Sequence, residues 1–473
     1  MKRFLKPLLA GLLLMIVLFC AFWAGDGLLS AFRSDSVIWS NTPSREEPKN
    51  EEKTVQSGLS PVSPPKRVGV QVGAASQEYE RVVSKRARGT AHYPYLNQNL
   101  SYDALNEEQR ECYEKLLTSV YRLAGEKNTN GHYGTKPVLL RGSDMSEADI
   151  RKTVSAFRTD HPEVFWLANV FGYAKSGGDT YIELYSQLSA DECQLAIDKL
   201  NAAVDEAVSK LQSGMTEFER ELSLHDWLCE RVSYDTAAAE GMDEWQAFTA
   251  YGALVEKSAV CEGYARSMQL LLSYANIACT LTSGSSRESL HMWNAVCIDG
   301  EWYYLDATWN DADTMINYHY FNVTEETLKA DHDIDPAFSS LSTEEICGTE
   351  GGAPTLYNLV VPDCTHTTAN YYRVKAVTIS TLDAQSDSTV ISRLKACAKS
   401  RERSISLKFE NDADYDGIID KMFLDAPYKF LYYIEKANQG LPDELKFDSG
   451  SVLFSEDKTQ KAVTVKLSYL SGQ

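Results

Sequence analysis

The stretch KSAVCEGYARSMQLLL, residues 257–272, decides how the chain folds. Tyr264, Met268, Leu271 and Leu272 recur at helical spacing behind Cys261, which predicts an amphipathic helix with the cysteine at its start. A thiol placed there meets the positive end of the helix dipole, and that favours the thiolate. The alternative is a small residue packed in a core. Glu262 needs no chemical role, since an acid in the first turn is favoured by the dipole, and Gly263 lets another segment approach closely.

The pattern on either side of this helix differs. AFTAYGALV (247–255) predicts a helix just upstream. Downstream, IACTLTSG (277–284), HMWNAVCID (291–299), EWYYLDATW (301–309) and YHYFNV (318–323) read as short strands, three of them rich in aromatic or β-branched residues. Asp299-Gly300 is a hairpin turn. Helices succeeded by an antiparallel sheet make an α+β domain. His291 lies 30 residues after Cys261, and Asp306 comes 15 residues later across the hairpin. An imidazole oriented by a carboxylate can take a thiol proton, so Cys261, His291 and Asp306 are candidates for a nucleophile, base and orienting acid. Spacing alone leaves open a chance succession of three common residues.

The local sequences narrow that choice. YGALVEKSAVCEGYARSMQLLL, HMWNAV and WYYLDATWND together resemble the core of the transglutaminase-like superfamily, the papain-related cysteine fold found in many bacterial surface proteins. The resemblance covers residues 218–323. It implies that Cys261 is the nucleophile, His291 the general base and acid, and Asp306 the residue orienting the histidine. The implied reaction is acyl transfer, in which Cys261 attacks an amide carbonyl and the acyl-enzyme is resolved by an amine or by water. The oxyanion would need donors; the Cys261 backbone N–H at a helix start is the natural one, and Tyr251 is a second candidate. Trp293, Tyr303, Tyr304 and Trp309 read first as core aromatics, with Trp293 a candidate for the cleft wall. The mechanism requires no cofactor and no metal.

The rest of the chain frames this core. Residues 1–33 begin with Lys2, Arg3 and Lys6, followed by an uncharged run from Leu8 to Ala24. That predicts a single-pass anchor with the folded part outside the cytoplasm, a cleaved signal peptide being the alternative. Cys20 reads as a membrane residue. Residues 34–99, rich in Ser, Pro and charge near their start, read as a disordered tether. Residues 100–214 are expected to form a mainly helical, acidic packing layer, with helices near 106–123 and 146–158, a strand at 179–187 and a helix opening at Ser189; a further helix over 216–232 begins the next unit. The core spans 215–345. Residues 346–473 read as a small α+β module in which strands alternate with helices near 386–399 and 417–438.

With 473 residues and 44% hydrophobic content the chain can fill a sizeable core. Its net charge of −21 argues against nucleic acid or an anionic membrane surface as main partner. The expected partner is a protein or peptide substrate, in the cell-wall setting if the anchor holds, with oligomeric state unspecified. Nine cysteines come after Cys20, an odd number whose pairing cannot be read from spacing. NDADYDGIIDKMF (411–423) imitates a calcium loop, but Phe423 stands where the bidentate acid is needed. It reads instead as a turn capping a helix. Cys364 and His366 lack a second ligand pair, while His225 and His332 read as surface or packing residues without partners. The competing function is a non-catalytic cell-surface binding or scaffold protein that uses the same fold.

Overall fold

The computed structural model describes residues 59–61 and 100–470, apart from 242–243, 288, 313, 349–355, 411–413 and 451. The expected anchor and nearly all of the expected tether lie outside those residues. Among the described residues no helix is long and apolar enough to cross a membrane.

Four helices begin where a polar side chain can satisfy their open N–H groups. These are α1 (Glu107–Ser119), α2 (Glu147–Asp160), α3 (Ala190–Val208) and α4 (Glu217–Cys229), capped by Asn106, Ser146, Ser189 and Thr216. Each is a reciprocal capping box, the residue three positions on accepting from the cap's own N–H. The N-terminal layer is not helical alone. It carries a six-stranded sheet in which Leu59–Pro61, Arg122–Lys127, Tyr133–Thr135, Asp179–Ser186 and Val138–Leu140 succeed one another, with Leu167–Ser176 also paired to Asp179–Ser186. Sequence reading finds only one of these strands; of the five it misses, three are three residues long and too short to show a period. Leu59–Pro61 pairs antiparallel with Arg122–Ala124, so the 34–99 span is not tether throughout.

Helix α5 (Cys261–Tyr274) is the centre of the molecule. Every residue from Gly263 to Tyr274 is buried, which corrects the expectation of an amphipathic helix with one wet face. Its polar positions are spent on the neighbouring helix: Arg266 Nη1 donates to Arg158 O at 2.8 Å and Gln269 Nε2 to Thr159 O at 2.9 Å. Those carbonyls belong to the last turn of α2, where a cation is favoured by the dipole. One continuous apolar core runs from α1 through α4 and α5 to the strands behind them.

On the other side of α5 lies an antiparallel sheet of β1 (Ala278–Ser286), β2 (Ser289–Ile298), β3 (Glu301–Leu305), β4 (Phe321–Val323) and β5 (His332–Ile334), in the spatial order β4-β3-β2-β1-β5. The β2–β3 hairpin closes at Asp299 and Gly300, both with positive φ, the requirement of a type I′ turn. Upstream, 247–255 is not one helix. A 3₁₀ turn at Trp245–Phe248 is followed by a π turn at Gly252–Glu256, because Gly252 is pressed against the Gln246 carbonyl, which a Cβ would meet at 2.1 Å.

The C-terminal module has its own apolar core and a four-stranded sheet ordered Val377–Ile379, Ser404–Phe409, Ala462–Lys466, Phe454–Asp457. The helix expected over 417–438 is broken into Tyr415–Ile419, a π turn Asp420–Leu424 and Lys429–Asn438. Pro427 lies in the break, where it lacks the N–H that a continuous helix needs. Tyr371–Lys375 is a short helix. The module docks on the core through Tyr371 stacked on Tyr318 at 3.6 Å and an Arg403–Glu230 ion pair at 2.7 Å.

Gly263 is the tightest point around α5, since a Cβ there would meet the Ala247 carbonyl oxygen at 2.4 Å and the Ala259 Cβ at 2.8 Å. Gly263→Ala is expected to lower stability by about 1–3 kcal/mol through overpacking, read as a reduced urea midpoint. Leu195→Ala, at a position 66% exposed on α3, is expected to stay within about 0.5 kcal/mol of the parent.

Candidate active site

Three elements bring the sequence-nominated residues together. Cys261 is the first residue of α5, half-buried, and the preceding Val260 gives no side-chain cap. The first-turn N–H groups of α5 are therefore not covered by a capping side chain. His291 stands on β2, and Asp306 succeeds β3 as the N-cap of a short helix, Ala307–Asn310. His291 Nε2 donates to Asp306 Oδ2 at 2.6 Å, and Cys261 lies close enough to the same ring to help raise its pKa. Of the three residues expected from spacing, His291 and Asp306 are joined directly by a hydrogen bond.

Asp306 is buried, and its two oxygens are used differently. Oδ1 accepts the Trp309 N–H at 3.1 Å, fixing the carboxylate to the turn. Oδ2 faces two imidazoles, His291 at 2.6 Å and His332 Nε2 at 3.2 Å. Burial pushes this carboxyl up, but His291 and then His332 outweigh it and hold it well below the usual carboxylate range. For His291, burial lowers the imidazole pKa, and the Asp306 charge and hydrogen bond, helped by Cys261, raise it to about 10. The neighbouring Asp306 thus favours the charged form of the ring.

His332 opens β5 and is fully buried between aromatic rings. The expectation that it lacks partners is wrong, because its partner Asp306 comes from the opposite side of β1 and β2, which no local reading of the sequence can see. Gly284 makes this possible. It lies opposite both His291 and Ile334 in the registers of β1, and a Cβ there would meet Asp333 O at 2.0 Å and Trp293 Cη2 at 2.6 Å. With no side chain on β1 at that point, rings from β2 and β5 close over it.

His225 is also partnered, contrary to the sequence reading. Its Nδ1 faces Asp226 Oδ1 at 2.9 Å, and its Nε2 faces Asn310 Nδ2 at 3.1 Å and Cys229 Sγ at 3.7 Å. Asn310 in turn accepts the Tyr320 N–H at 2.9 Å. This buried set on α4 braces the turn that carries Asp306.

The two remaining nominees sit elsewhere in role. Tyr251 stacks on Phe165 at 4.8 Å, and burial and then Glu256 raise its hydroxyl pKa to about 12. Trp293 is 1% exposed and packs on His291 and His332, which makes it core beneath the histidines instead of cleft wall. A tyrosine that sequence reading missed does face the site. Tyr234 is 45% exposed, and partial desolvation and then the charges of Cys261 and Asp306 raise its hydroxyl pKa. Tyr234 also lines a cavity of about 670 Å³ between the core and the C-terminal module, together with Asp311, Met315, Tyr371, Arg403 and Lys466. Its only sequence signal is a position just after α4.

The weaker constellations fall apart in space. Asp414 caps the helix at Tyr415 by accepting the Gly417 N–H, as the turn reading expected, and Asp412 lies outside the described residues. Cys364 is buried beside Tyr304 while His366 pairs with Glu301 at 2.7 Å on the surface. All nine described cysteines are free thiols, seven of them buried. Burial pushes Cys112, Cys193 and Cys397 up to about 12 and Cys229 and Cys279 well above the ordinary value. Only Cys261 and Cys347 are partly exposed among them.

Known proteins place the same region in a family. Residues 205–307 match the model of the transglutaminase-like superfamily. The chain is 32% identical over 139 residues to kyphoscoliosis peptidase of Homo sapiens, covering 26% of this chain and 21% of that one. It is 29% identical over 141 residues to the Mus musculus protein of the same name, covering 27% and 21%. The match therefore spans about a fifth of the length of these relatives. A crystal structure of a TGase aligns over 37% of this chain and 52% of its own, at 11% identity and a TM-score of 0.23. With Cys261 opening the central helix and the antiparallel sheet behind it, the chain carries a domain of the transglutaminase-like superfamily over residues 205–307.

Proposed function

We propose that this domain is a cysteine-dependent acyl-transfer centre acting on protein or peptide amides. The observation that carries the reading is the 2.6 Å hydrogen bond from His291 Nε2 to the buried Asp306, with Cys261 near the same ring at the start of α5. Cys261 attacks the amide carbonyl as thiolate, forming the C–S bond, and the tetrahedral intermediate collapses as His291 gives its proton to the departing amine. The thioester is then resolved by an amine, which cross-links, or by water, which hydrolyses. Asp306 keeps the imidazole in the tautomer and orientation both steps need. The uncapped start of α5 supports a role for the Cys261 N–H in holding the oxyanion.

A protein held by residues 8–24 with this domain outside the cytoplasm belongs to the same reading, supported by the uncharged run and the basic residues before it. Resistance of the full chain to carbonate extraction from membranes is the expected outcome; release into the supernatant would refute the anchor.

Iodoacetamide labelling mapped by peptide mass spectrometry separates the catalytic reading from a scaffold. Cys261 is expected to react at pH 6.5 about a hundredfold faster in the parent than in His291→Ala, the size of a contribution from a positioned general base. Equal rates would favour the non-catalytic scaffold.

The pH dependence has a definite sign. The His291 pKa is raised, so the charged ring persists from low pH until it is lost near pH 10. The excess of parent over His291→Ala is therefore expected to be large below pH 7 and to vanish as pH passes about 10. An excess that grew with pH would contradict an imidazolium partner.

A further inference from the structure

The centre extends past the family match, which ends at Ala307. His332 contacts the oxygen that His291 uses, Asp306 Oδ2, at 3.2 Å, and its other nitrogen, Nδ1, lies 2.7 Å from Asp331 Oδ1. The Tyr320 hydroxyl donates to Asp331 Oδ2 at 2.6 Å. A carboxylate oxygen only accepts, so a ring facing carboxylates through both nitrogens either carries a proton on each or receives one from Asp331. In both arrangements the His332 Nε2–H points at Asp306. The groups around the ring are His291 on β2, Asp306 and Trp309 in the turn after β3, Tyr320 before β4, and Asp331 beside it.

Two other readings are weaker. His291, Asp306 and His332 present three ligand atoms within 4.8 Å of one another, as a metal site would. Two ligands of one tetrahedral zinc, however, sit roughly 3.3 Å apart given bonds of about 2.0–2.1 Å, whereas His291 and Asp306 are at 2.6 Å and both imidazoles address the same oxygen. Such contacts share protons. A histidine used only for packing would have no need of carboxylates at both nitrogens.

We propose that His332, backed by Asp331 and Tyr320, is a positioning residue of this centre, locking the Asp306 carboxylate from the side opposite Trp309 so that the His291 ring stays aimed at Cys261. The inference rests on the acyl-transfer reading above. With three donors on two oxygens the carboxylate cannot turn about its axis, and the imidazole it holds keeps one orientation. The working unit is then a relay that runs beyond Cys261, His291 and Asp306, its last members coming from β5 and its flank.

The test is the pH profile of Cys261 alkylation in the full chain, with unfolding midpoints measured alongside. His332→Phe keeps the ring volume and removes both donors. It is expected to slow alkylation at pH 6.5 about tenfold or more and to move the acid limb upward. His332→Gln, whose amide can still donate to Asp306, is expected to recover most of the loss. Asp331→Asn and Tyr320→Phe, at the less buried end of the relay, are expected to shift the limb the same way by less, and they carry the test if His332→Phe does not fold. Profiles that superimpose on the parent overturn the proposal, as does an equal loss in the Phe and Gln variants, which means packing alone. If the parent itself has no His291-dependent excess, the acyl-transfer reading falls and this inference falls with it.

Discussion

One carboxylate oxygen, Oδ2 of Asp306, organises the centre of this molecule. A buried carboxylate is costly unless its charge is met, and here it is met by two imidazoles and a backbone N–H. Each donor arrives from a different element: β2, β5 and the turn after β3. The sheet must therefore have its register right before the charge can be buried. A shift of one residue in β2 would turn His291 to the other face and leave the carboxylate short of a donor. Polar satisfaction and strand register are thus a single constraint, and α5 is held over it by the Asn294 amide, which reaches the Ala265 carbonyl at 2.9 Å.

Sequence reading recovers what is local. The four capping boxes announce α1 to α4, since a Ser, Thr or Asn followed three residues on by an acid or amide is a pattern within one turn. Asp299-Gly300 announces the hairpin for the same reason. Cys261, His291 and Asp306 are legible because each is embedded in a recognisable block and the hairpin brings two of them together. What fails is whatever depends on distant partners. His332 and His225 look idle in sequence and are buried among acceptors and donors contributed by other elements. The three-residue strands of the N-terminal sheet are too short to show a period, and the full burial of α5 is hidden because its polar residues spend themselves on carbonyls of α2, more than a hundred residues earlier.

The C-terminal module shows a different limit. Its own core comes from alternating helices and strands, but nothing in its sequence declares that Tyr371 will stack on Tyr318 or that Arg403 will reach Glu230. These contacts make the module one wall of the cavity beside Tyr234. A segment with no chemistry of its own thereby completes a cavity against the core.

The thiol inventory has a consequence for durability. In the folded state an oxidant meets chiefly Cys261 and Cys347, because the other seven described thiols are sealed inside, so the first lesion under peroxide falls on one of these two with the fold intact. Unfolding releases all of them at once into a chain with no native pairing to return to. In air, scrambled cross-links would then trap the denatured state, and the protein's lifetime would be governed by its opening rate and not by its equilibrium stability.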